Sequence, residues 1–375
     1  MKMLILGVGF LAQFLIPCYE RMLGDDLSDK VIGIKATDRN LEAVRARCPF
    51  PVQVQGAREA LDVFHPDLIL IGVRPQQVVA LVQDTLKPYF DALRQRGEPL
   101  PIIYSLAPDP TVDYYWDALG GGVRAAYQFP NVVREVAGVD VSRVGVSFVT
   151  FDARAEWSPE DREAALRFLE PTGEVFELEA AQASPFLAVQ PTSHLIFSMI
   201  YLIQDAMAAH GRQISAAALA SAIRAELRPH LPEACADLIP CDGEGVEDSL
   251  RDVLRRLTLA WCDGLMDFVR SEGLPEAAGM RNICGTLASY CMQAQMESRE
   301  AVERTTADHA TPGGYLELAL RRFDEFGAAD LSRAMDDFLS GRAPADFEAR
   351  IRRMAFDIIR AVSEHGKALG GVKKA

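Results

Sequence analysis

The sequence predicts an α/β fold with a doubly wound parallel sheet in its N-terminal half and an all-helical domain in its C-terminal half. Two observations carry this prediction. Short β-rich segments alternate with helical periodicity up to about residue 180, and strand signals almost vanish beyond that point while helical patterns continue. We therefore predict a sheet domain over residues 1–180 and a helical domain over residues 181–375. Of the 375 residues 49% are apolar, which is enough for two hydrophobic cores.

The first half contains seven predicted strands, most of them followed by a predicted helix. The strands are residues 2–6, 31–35, 68–73, 101–105, 123–127, 144–151 and 174–178. The helices between them are residues 11–23, 41–48, 75–96, 111–119 and 159–169.

Two segments of the second half have contrasting helical patterns. Residues 192–209 are apolar on nearly every face, which predicts a helix that is buried all round. Residues 347–362 instead carry apolar side chains at spacings of three and four, which predicts an amphipathic helix. Because a wholly buried helix in a modest domain needs extra cover, we expect a partner subunit and therefore a homodimer.

Composition excludes several classes of function. The net charge of −14 argues against nucleic-acid binding, which needs clustered cations. No uninterrupted apolar run reaches the roughly 18–20 residues of a membrane span, so we expect no membrane partner. Seven cysteines without a Cys-x-x-Cys pair indicate reduced thiols and a cytoplasmic protein. The histidines lack metal-ligand spacing, so we expect no metal.

The segment Gly7-Val8-Gly9-Phe10-Leu11-Ala12 follows the first strand and opens a helix. In a G-x-G-x-x-A turn the first glycine permits the tight turn, and the second lets a pyrophosphate approach the backbone. The small third residue lets the helix pack on the strand. The helix N-terminus then offers free N–H groups to the phosphates. This context predicts a Rossmann dinucleotide-binding domain, although glycines also serve purely structural turns.

The second strand ends in Lys35-Ala36-Thr37-Asp38-Arg39. An acidic residue at this tip suits the ribose 2′-hydroxyl of NAD, whereas an arginine and a hydroxyl suit the 2′-phosphate of NADP. Thr37 and Arg39 therefore favour NADP, while Asp38 leaves NAD open. A solvated loop of mixed charge would have the same composition.

Four further motifs follow in a fixed order along the chain. They are Gly72-Val73-Arg74-Pro75, Tyr104-Ser105-Leu106-Ala107, Phe129-Pro130-Asn131 and Ala310-Thr311-Pro312-Gly313-Gly314-Tyr315. Together with the glycine turn, this succession resembles the pyrroline-5-carboxylate reductase family over almost the whole chain.

The resemblance implies a role for each matching residue. Gly7, Gly9, Phe10 and Leu11 would lie along the pyrophosphate, and Thr37 and Arg39 near the adenosine phosphate. Val73, Arg74 and Pro75 would lie near the ribose and nicotinamide, although a proline that simply starts a helix explains Pro75 equally well. The positions implied for the substrate are Asn131, Ser193, Thr311, Gly313 and Gly314.

Two departures from the family pattern concern the substrate. Tyr315 and Leu316 stand where the family has two hydroxyl residues, and Gln190-Pro191-Thr192-Ser193-His194-Leu195 stands where the family has Gly-Ser-Gly-Pro-Ala-Tyr. His194 and Tyr315 are therefore our candidates for catalytic proton donors or substrate hydrogen-bond partners. A packed structural histidine and a packed tyrosine are the alternatives.

The sequence thus predicts an NAD(P)H-dependent oxidoreductase that reduces the C=N bond of a small imine or amino-acid-like substrate. The alternatives are a dehydrogenase of a 2-hydroxy acid or carbonyl, and a non-catalytic NADP-binding sensor or partner protein.

Overall fold

The computed structural model describes residues 1–130, 144–233, 238–239, 241, 245–310, 313–342 and 345–369. The chain divides into two compact units. The sheet unit contains the described residues of Met1–Val132 and Ser147–Ala183, and the helical unit contains those of Ser184–Ala368 with the short segment that ends at Val146.

The sheet unit is built on one eight-stranded sheet with the strand order β3-β2-β1-β4-β5-β6-β7-β8. Its strands are β1 (Met3–Leu6), β2 (Val31–Lys35), β3 (Val52–Val54), β4 (Leu68–Ile71), β5 (Ile102–Ser105), β6 (Ala125–Phe129), β7 (Val146–Phe151) and β8 (Glu174–Leu178). The first six strands pair in parallel, and β7 pairs antiparallel to β6. The order 3-2-1-4-5-6 is that of a dinucleotide-binding doubly wound sheet. The predicted α/β fold class is therefore confirmed.

Helices connect the strands of this sheet. They are α1 (Phe10–Phe14), α2 (Ile16–Leu23), α3 (Leu41–Arg45), α4 (Ala57–Phe64), α5 (Pro75–Leu81), α6 (Lys87–Arg96), α7 (Asp113–Leu119) and α8 (Pro159–Phe168). A π-helical turn, Val82–Leu86, joins α5 to α6.

Strand β1 is buried on both faces, and this explains its uninterrupted apolar sequence. Met3 and Ile5 belong to one core layer, which also contains Tyr19 of α2. Leu4 and Leu6 point to the other face, into a second core layer. Because successive side chains of a strand alternate between its faces, one short strand holds both layers together.

Three local predictions for the sheet unit were wrong. Strand β3 and helix α4 were not predicted, because β3 has only three residues and shows no periodicity. The single helix expected over residues 11–23 is two helices that meet at Leu15, with Pro17 in the first turn of the second. Proline has no N–H for a helical hydrogen bond and is tolerated at a helix start, so it favours this break.

The described part of the helical unit contains α-helices and no strand other than the start of β7. The helices are α9 (Ala180–Leu187), which begins in the sheet unit, α10 (Val189–His194), α11 (Ile196–Ala209), α12 (Ala216–Leu227), α13 (Asp248–Ser271), α14 (Glu276–Met296), α15 (Arg299–His309), α16 (Tyr315–Phe326), α17 (Ala328–Leu339) and α18 (Phe347–Leu369).

Helix α14 lies at the centre of this unit, where it packs against α10, α11, α12 and α13. The sequence predicted instead that residues 192–209 would be buried all round. That segment is two helices separated at Leu195, and its end is exposed at Asp205 and Ala208. The central position of α14 depends on small residues: a Cβ at Gly279 would lie 2.7 Å from Val269 Cγ1.

One helical run in the described part of the chain, Ala180–Ala209, is long and apolar enough to cross a membrane, with a mean hydropathy of 1.5. The sequence analysis expected no such run. The run combines α9, α10 and α11, and 72% of its most apolar window is buried within the structure. Core helices of soluble proteins have the same length and composition, so this run is weak evidence for a membrane span.

Most thiols in the described part of the chain are buried and none forms a disulfide. The buried ones are Cys18, Cys48, Cys262, Cys284 and Cys291. Burial raises the pKa of Cys18 and of Cys291 to about 12. Cys241 is partly exposed.

Candidate functional site

In the turn after β1, Gly7 packs closely against the loop that follows β4. This residue has a φ of +101°, which an L side chain rarely adopts, and its N–H donates a hydrogen bond to the Ile34 carbonyl of β2 (2.9 Å). A Cβ at this position would lie 2.6 Å from the Val73 nitrogen, which belongs to the loop after β4. Position 7 therefore requires glycine for its conformation and for the close approach of two backbone segments.

In the same turn, the space beside Gly9 is empty. Its φ of −95° is an ordinary extended value, and a Cβ there would meet no atom within 4 Å. Gly9 is the N-cap of α1, and no side chain caps this helix. First-turn N–H groups of a helix have no intrahelical acceptor, so bare backbone here faces open space. Ala12, the small third residue of the motif, is only 1% exposed and lies beneath the turn.

The open turn lies at the point where the strand order of the sheet reverses. The sheet continues from β1 to β2 on one side and to β4 on the other, so the loops after β1 and β4 leave the sheet beside each other. A dinucleotide binds in the crevice at such a switch point, outside the carboxyl ends of the strands. Val73 is half-buried at the end of the β4 loop, and Pro75 begins α5.

Two exposed arginines on these loops have no counter-ion among the residues that the structure describes. Arg74 follows β4 and Arg39 follows β2, and neither guanidinium makes a hydrogen bond or ion pair within the described part of the chain. By contrast, Arg45 pairs with Glu42 at 3.0 Å. Unpaired cations in a chain of net charge −14 leave this edge of the sheet locally able to bind anions.

The remaining predicted cofactor residues also lie near these loops. Thr37 and Asp38 are exposed between β2 and α3. Leu11 is half-buried in the first turn of α1, and Phe10 is 46% exposed with its ring stacked on Phe14 at a centroid distance of 6.4 Å. The structure thus places the predicted cofactor residues on the loops after β1, β2 and β4. Three features fit a nicotinamide dinucleotide: the tight packing at Gly7, the empty space beside Gly9, and the two guanidinium groups that have no partner among the described residues.

The predicted substrate residues Ser193 and His194 lie at the end of α10 in the helical unit. His194 is 3% exposed, and its ring centroid lies 4.6 Å from that of Tyr290 and 5.0 Å from that of Phe197. Burial raises the pKa of Tyr290. The buried Ser193 hydroxyl makes no hydrogen bond within the described part of the chain.

The Gly313-Gly314-Tyr315 turn is attached to the last helix. Gly313 has a φ of +71°, and its carbonyl lies 2.9 Å from Nε2 of His365 on α18. The Tyr315 hydroxyl lies against Gly366, where a Cβ would overlap it. Asn131 and Thr311, the other two predicted substrate residues, lie outside the described residues.

A cavity of about 800 Å³ lies between α11, α15, α16 and α17 of the helical unit, and His194 lies on its wall. Tyr315 is not one of the residues that line it. The sequence analysis missed the polar residues of this cavity, among them Tyr201, Asp205 and Arg299. These residues come from helices that are far apart in the sequence, so no local pattern indicates them.

Among the residues described, no three His, Cys, Asp or Glu side chains lie close enough to hold a metal ion together.

Comparisons with known proteins identify no family for this chain. No family model matches the sequence, and no curated protein does. Among solved structures, the chain is similar to the pyrroline carboxylate reductase of Plasmodium falciparum with NADP bound, at 13% identity and a TM-score of 0.43, over 99% of this chain and 98% of that one.

Two further solved structures have similar values. One is a pyrroline-5-carboxylate reductase from Coxiella burnetii, at 14% identity and a TM-score of 0.42, over 92% of this chain and 99% of that one. The other is prephenate dehydrogenase from A. aeolicus in complex with hydroxyphenyl propionate and NAD+, at 12% identity and a TM-score of 0.40, over 89% and 96%. Identity and TM-score are both too low for these neighbours to indicate what this chain binds or does.

Proposed function

We propose that this chain is an NAD(P)H-dependent oxidoreductase that reduces the C=N bond of a small imine. The observation that carries the proposal is the contrast within the turn after β1. A Cβ at Gly7 would overlap the backbone of Gly72 and Val73, whereas a Cβ at Gly9, at the switch point of the sheet, would meet no atom within 4 Å. Gly9 is not required to be glycine by any steric conflict, and the approach of a pyrophosphate to its backbone is the reason that we propose for it.

The residues around this turn would divide the cofactor between them. The N–H groups that follow Gly9 would hold the pyrophosphate. Arg39 and Thr37 would hold the 2′-phosphate, which makes NADPH the preferred cofactor, and Arg74 would lie towards the ribose and nicotinamide. An unpaired guanidinium suits this role, because it can bind a phosphate through two parallel hydrogen bonds without first breaking an ion pair.

The chain's own contribution to the reaction would be binding and orientation. When bound, a reduced nicotinamide supplies the hydride, which is the difficult part of the chemistry. An imine that binds in its protonated form needs no strong acid from the protein, so a sparse set of catalytic groups suffices. His194 is the candidate proton donor that reaches a cavity wall, and it takes precedence over Tyr315.

We also propose a homodimer that functions in the cytoplasm. The proposal rests on the long apolar run Ala180–Ala209, for which a second subunit would supply additional cover. Sedimentation velocity tests this assignment, and a single monomeric species at micromolar concentration would contradict it.

The functional proposal is tested in two steps on the purified full-length chain. Titration with NADPH and NADH, followed by nucleotide fluorescence, is expected to show binding with a preference for NADPH. Oxidation of NADPH is then followed at 340 nm with a panel of cyclic and open imines, ketones and 2-oxo acids. Turnover of imines supports the proposal.

Three other outcomes decide against it. Turnover of ketones or 2-oxo acids without imines makes the chain a dehydrogenase of hydroxy acids or carbonyls. Tight binding without turnover makes it a cofactor sensor or a partner protein. Absence of nucleotide binding removes the oxidoreductase assignment altogether.

A further inference from the structure

An open groove lies between α16, the start of α17 and α18 of the helical unit. Its volume is about 480 Å³, which is within the range of roughly 300–1,000 Å³ for small-molecule sites. Because a helix with its side chains is about 10–12 Å across, this volume holds only about one turn of a helix from a partner protein. The groove has no lining residue in common with the cavity that His194 reaches. It is therefore a separate candidate site, and a small molecule fits it best.

Part of the groove wall is apolar. Phe326, the last residue of α16, is 61% exposed, and Met354 and Ala361 of α18 also line the groove. Met354 and Ala361 are seven residues apart, which is two turns of helix, so they lie on one face and about 10 Å apart along α18. A ligand with an extended apolar body would remove this surface from water.

The charged side chains of the groove are predominantly basic. The wall has a net charge of +2, from Arg322, Arg350, Arg353 and Arg360 against Asp330 and Asp357. The whole chain has a net charge of −14. A local excess of cations on an acidic protein attracts anions to this groove.

Three of the four arginines already have a counter-ion. Each guanidinium lies between 2.8 and 3.2 Å from a carboxylate oxygen: Arg350 from Asp330, Arg360 from Asp357 and Arg322 from Glu325. The Arg322 guanidinium also lies 5.4 Å from the centroid of the Phe326 ring. These three groups therefore have a reduced capacity for a ligand anion.

Arg353 is the exception. Its exposed guanidinium makes no ion pair or hydrogen bond with any residue that the structure describes. Asp357 lies one turn further along α18, at a spacing that favours an ion pair, but its carboxylate is engaged by Arg360. A free guanidinium can bind a carboxylate through two parallel hydrogen bonds without first breaking an ion pair. Arg353 is thus the group of this groove that is best suited to an anion.

We propose that this groove binds an aliphatic monocarboxylate. The carboxylate would bind Arg353, and the alkyl chain would extend along α18 from Met354 to Ala361 and contact the Phe326 ring. One free guanidinium explains one carboxylate, and an apolar strip about 10 Å long explains an extended chain of medium length. The site lies wholly within the helical unit, and its assignment is independent of the cofactor proposal.

Isothermal titration of the full-length chain with octanoate tests the site. Octylamine is the control of opposite charge, 1-octanol is the uncharged control, and acetate is the control without an alkyl chain. We expect one octanoate to bind per chain, and to bind more tightly than each control. Equal binding of octylamine, several octanoate molecules per chain, or no heat with millimolar octanoate would each overturn the proposal.

A series of chain lengths tests the apolar part of the site. Complete burial of one methylene group strengthens binding about fourfold, so a groove that covers half of the chain should give about twofold for each methylene. Octanoate is therefore expected to bind about 16-fold more tightly than butanoate. Equal affinity for the two acids would contradict the assigned position of the alkyl chain.

A charge substitution locates the carboxylate. Arg353→Gln is expected to weaken octanoate about three- to fivefold, the range of an exposed ion pair, with an unchanged melting temperature. Arg321→Gln is the matched control, because Arg321 is exposed on α16 and does not line the groove. If Arg321→Gln weakens octanoate as much as Arg353→Gln does, the effect is one of general charge and the proposal fails.

A second substitution examines the aromatic ring. Phe326→Ala is expected to weaken octanoate at least threefold, whereas thermal stability should change little because most of the ring is exposed. Val63→Ala, at a position of the sheet unit that is 81% exposed, is the control for the loss of an exposed apolar side chain. Unchanged affinity of Phe326→Ala would contradict the assigned contact.

The oligomeric state and the cofactor serve as independent readouts. If sedimentation shows that octanoate dissociates a dimer, the groove is a surface for a second copy of the chain and the ligand assignment is wrong. NADPH titration of the same samples reports on the sheet unit. Loss of NADPH binding with retained octanoate binding would refute the proposed function and leave this site intact.

Discussion

The two glycines of the turn after β1 are expected to respond in opposite ways to the same substitution. Gly7→Ala places a Cβ 2.6 Å from the Val73 nitrogen and 2.7 Å from the Gly72 carbonyl carbon. Both are backbone atoms and cannot rotate away. The positive φ costs about 1–3 kcal/mol for a non-glycine residue, and overpacking costs a further 1–3 kcal/mol. We expect a total loss of about 2–6 kcal/mol.

Gly9→Ala introduces no such conflict. Its φ is −95°, and its Cβ would enter open space, so only the weaker N-cap preference of alanine remains. We expect a stability change below about 1 kcal/mol. The new methyl group would, however, occupy the space through which a pyrophosphate approaches the backbone. NADPH affinity is expected to fall at least tenfold, equivalent to about 1.4 kcal/mol.

Thermal unfolding by circular dichroism and NADPH titration by fluorescence distinguish the two effects. For a unit of this size, each kcal/mol shifts the melting temperature by about 2–4 °C, so Gly7→Ala is expected to melt roughly 4–24 °C lower. Gly97→Ala is a matched control, because Gly97 has a φ of +67° but a Cβ there meets nothing within 4 Å. It measures the cost of the positive φ without the overlap.

Two results would refute this reasoning. If Gly7→Ala is no less stable than Gly97→Ala, the close approach between the β1 and β4 loops is not as described. If Gly9→Ala binds NADPH as tightly as the parent chain, the phosphates do not lie on this turn, and the main support for the proposed function is lost.

Three further predictions concern charge and burial. Arg39→Ala is expected to weaken NADPH about tenfold and NADH little in parallel titrations, whereas Arg47→Ala, at an exposed position beyond α3, leaves both unchanged. Hydrogen bonds from Arg352 lower the pKa of Asp267 below its ordinary 3.8. This stabilisation is complete above pH 4 and is lost as pH falls through the lowered value, so urea unfolding should show Asp267→Asn destabilised at pH 7 but much less at pH 2.5. Among the described cysteines, Cys241 should react first with iodoacetamide at pH 8 in peptide mapping, and early labelling of Cys18 or Cys291 would contradict their raised pKa values.

The sheet was predictable because the signals that specify it are local. Three of the strands, β1, β4 and β7, are buried at every position. Strands β1 and β4 therefore appear in the sequence as short apolar runs between turn residues. The glycine turn follows β1 directly, and its motif needs only three small residues within six positions, Gly7, Gly9 and Ala12. Strand β3 was missed because three residues are too few to show a period.

The centre of the helical unit was not predictable in the same way. Helix α14 packs through small residues, and a hydrophobic pattern gives most weight to large ones. A Cβ at Gly285 would overlap the Val144 carbonyl, so close contact here depends on the absence of a side chain. The cavity that His194 reaches was missed for a related reason, since its lining residues Asp205, Asp324 and Asp336 come together only when α11, α16 and α17 pack.

Tyr315 was a catalytic candidate because its motif resembles one of the reductase family. Its packing indicates a structural role that the motif alone does not reveal. Gly366 lies within α18 and is not among the glycines with positive φ, so its backbone does not require glycine. A glycine inside a helix costs about 0.5–1 kcal/mol relative to alanine, and here it makes room for the Tyr315 hydroxyl. His365 contacts the preceding turn from the same helix at 2.9 Å. Two adjacent residues of α18 thus hold the start of α16, and Tyr315 takes part in joining these helices, whereas His194 reaches a cavity wall. The catalytic role within the proposed reaction is therefore assigned first to His194.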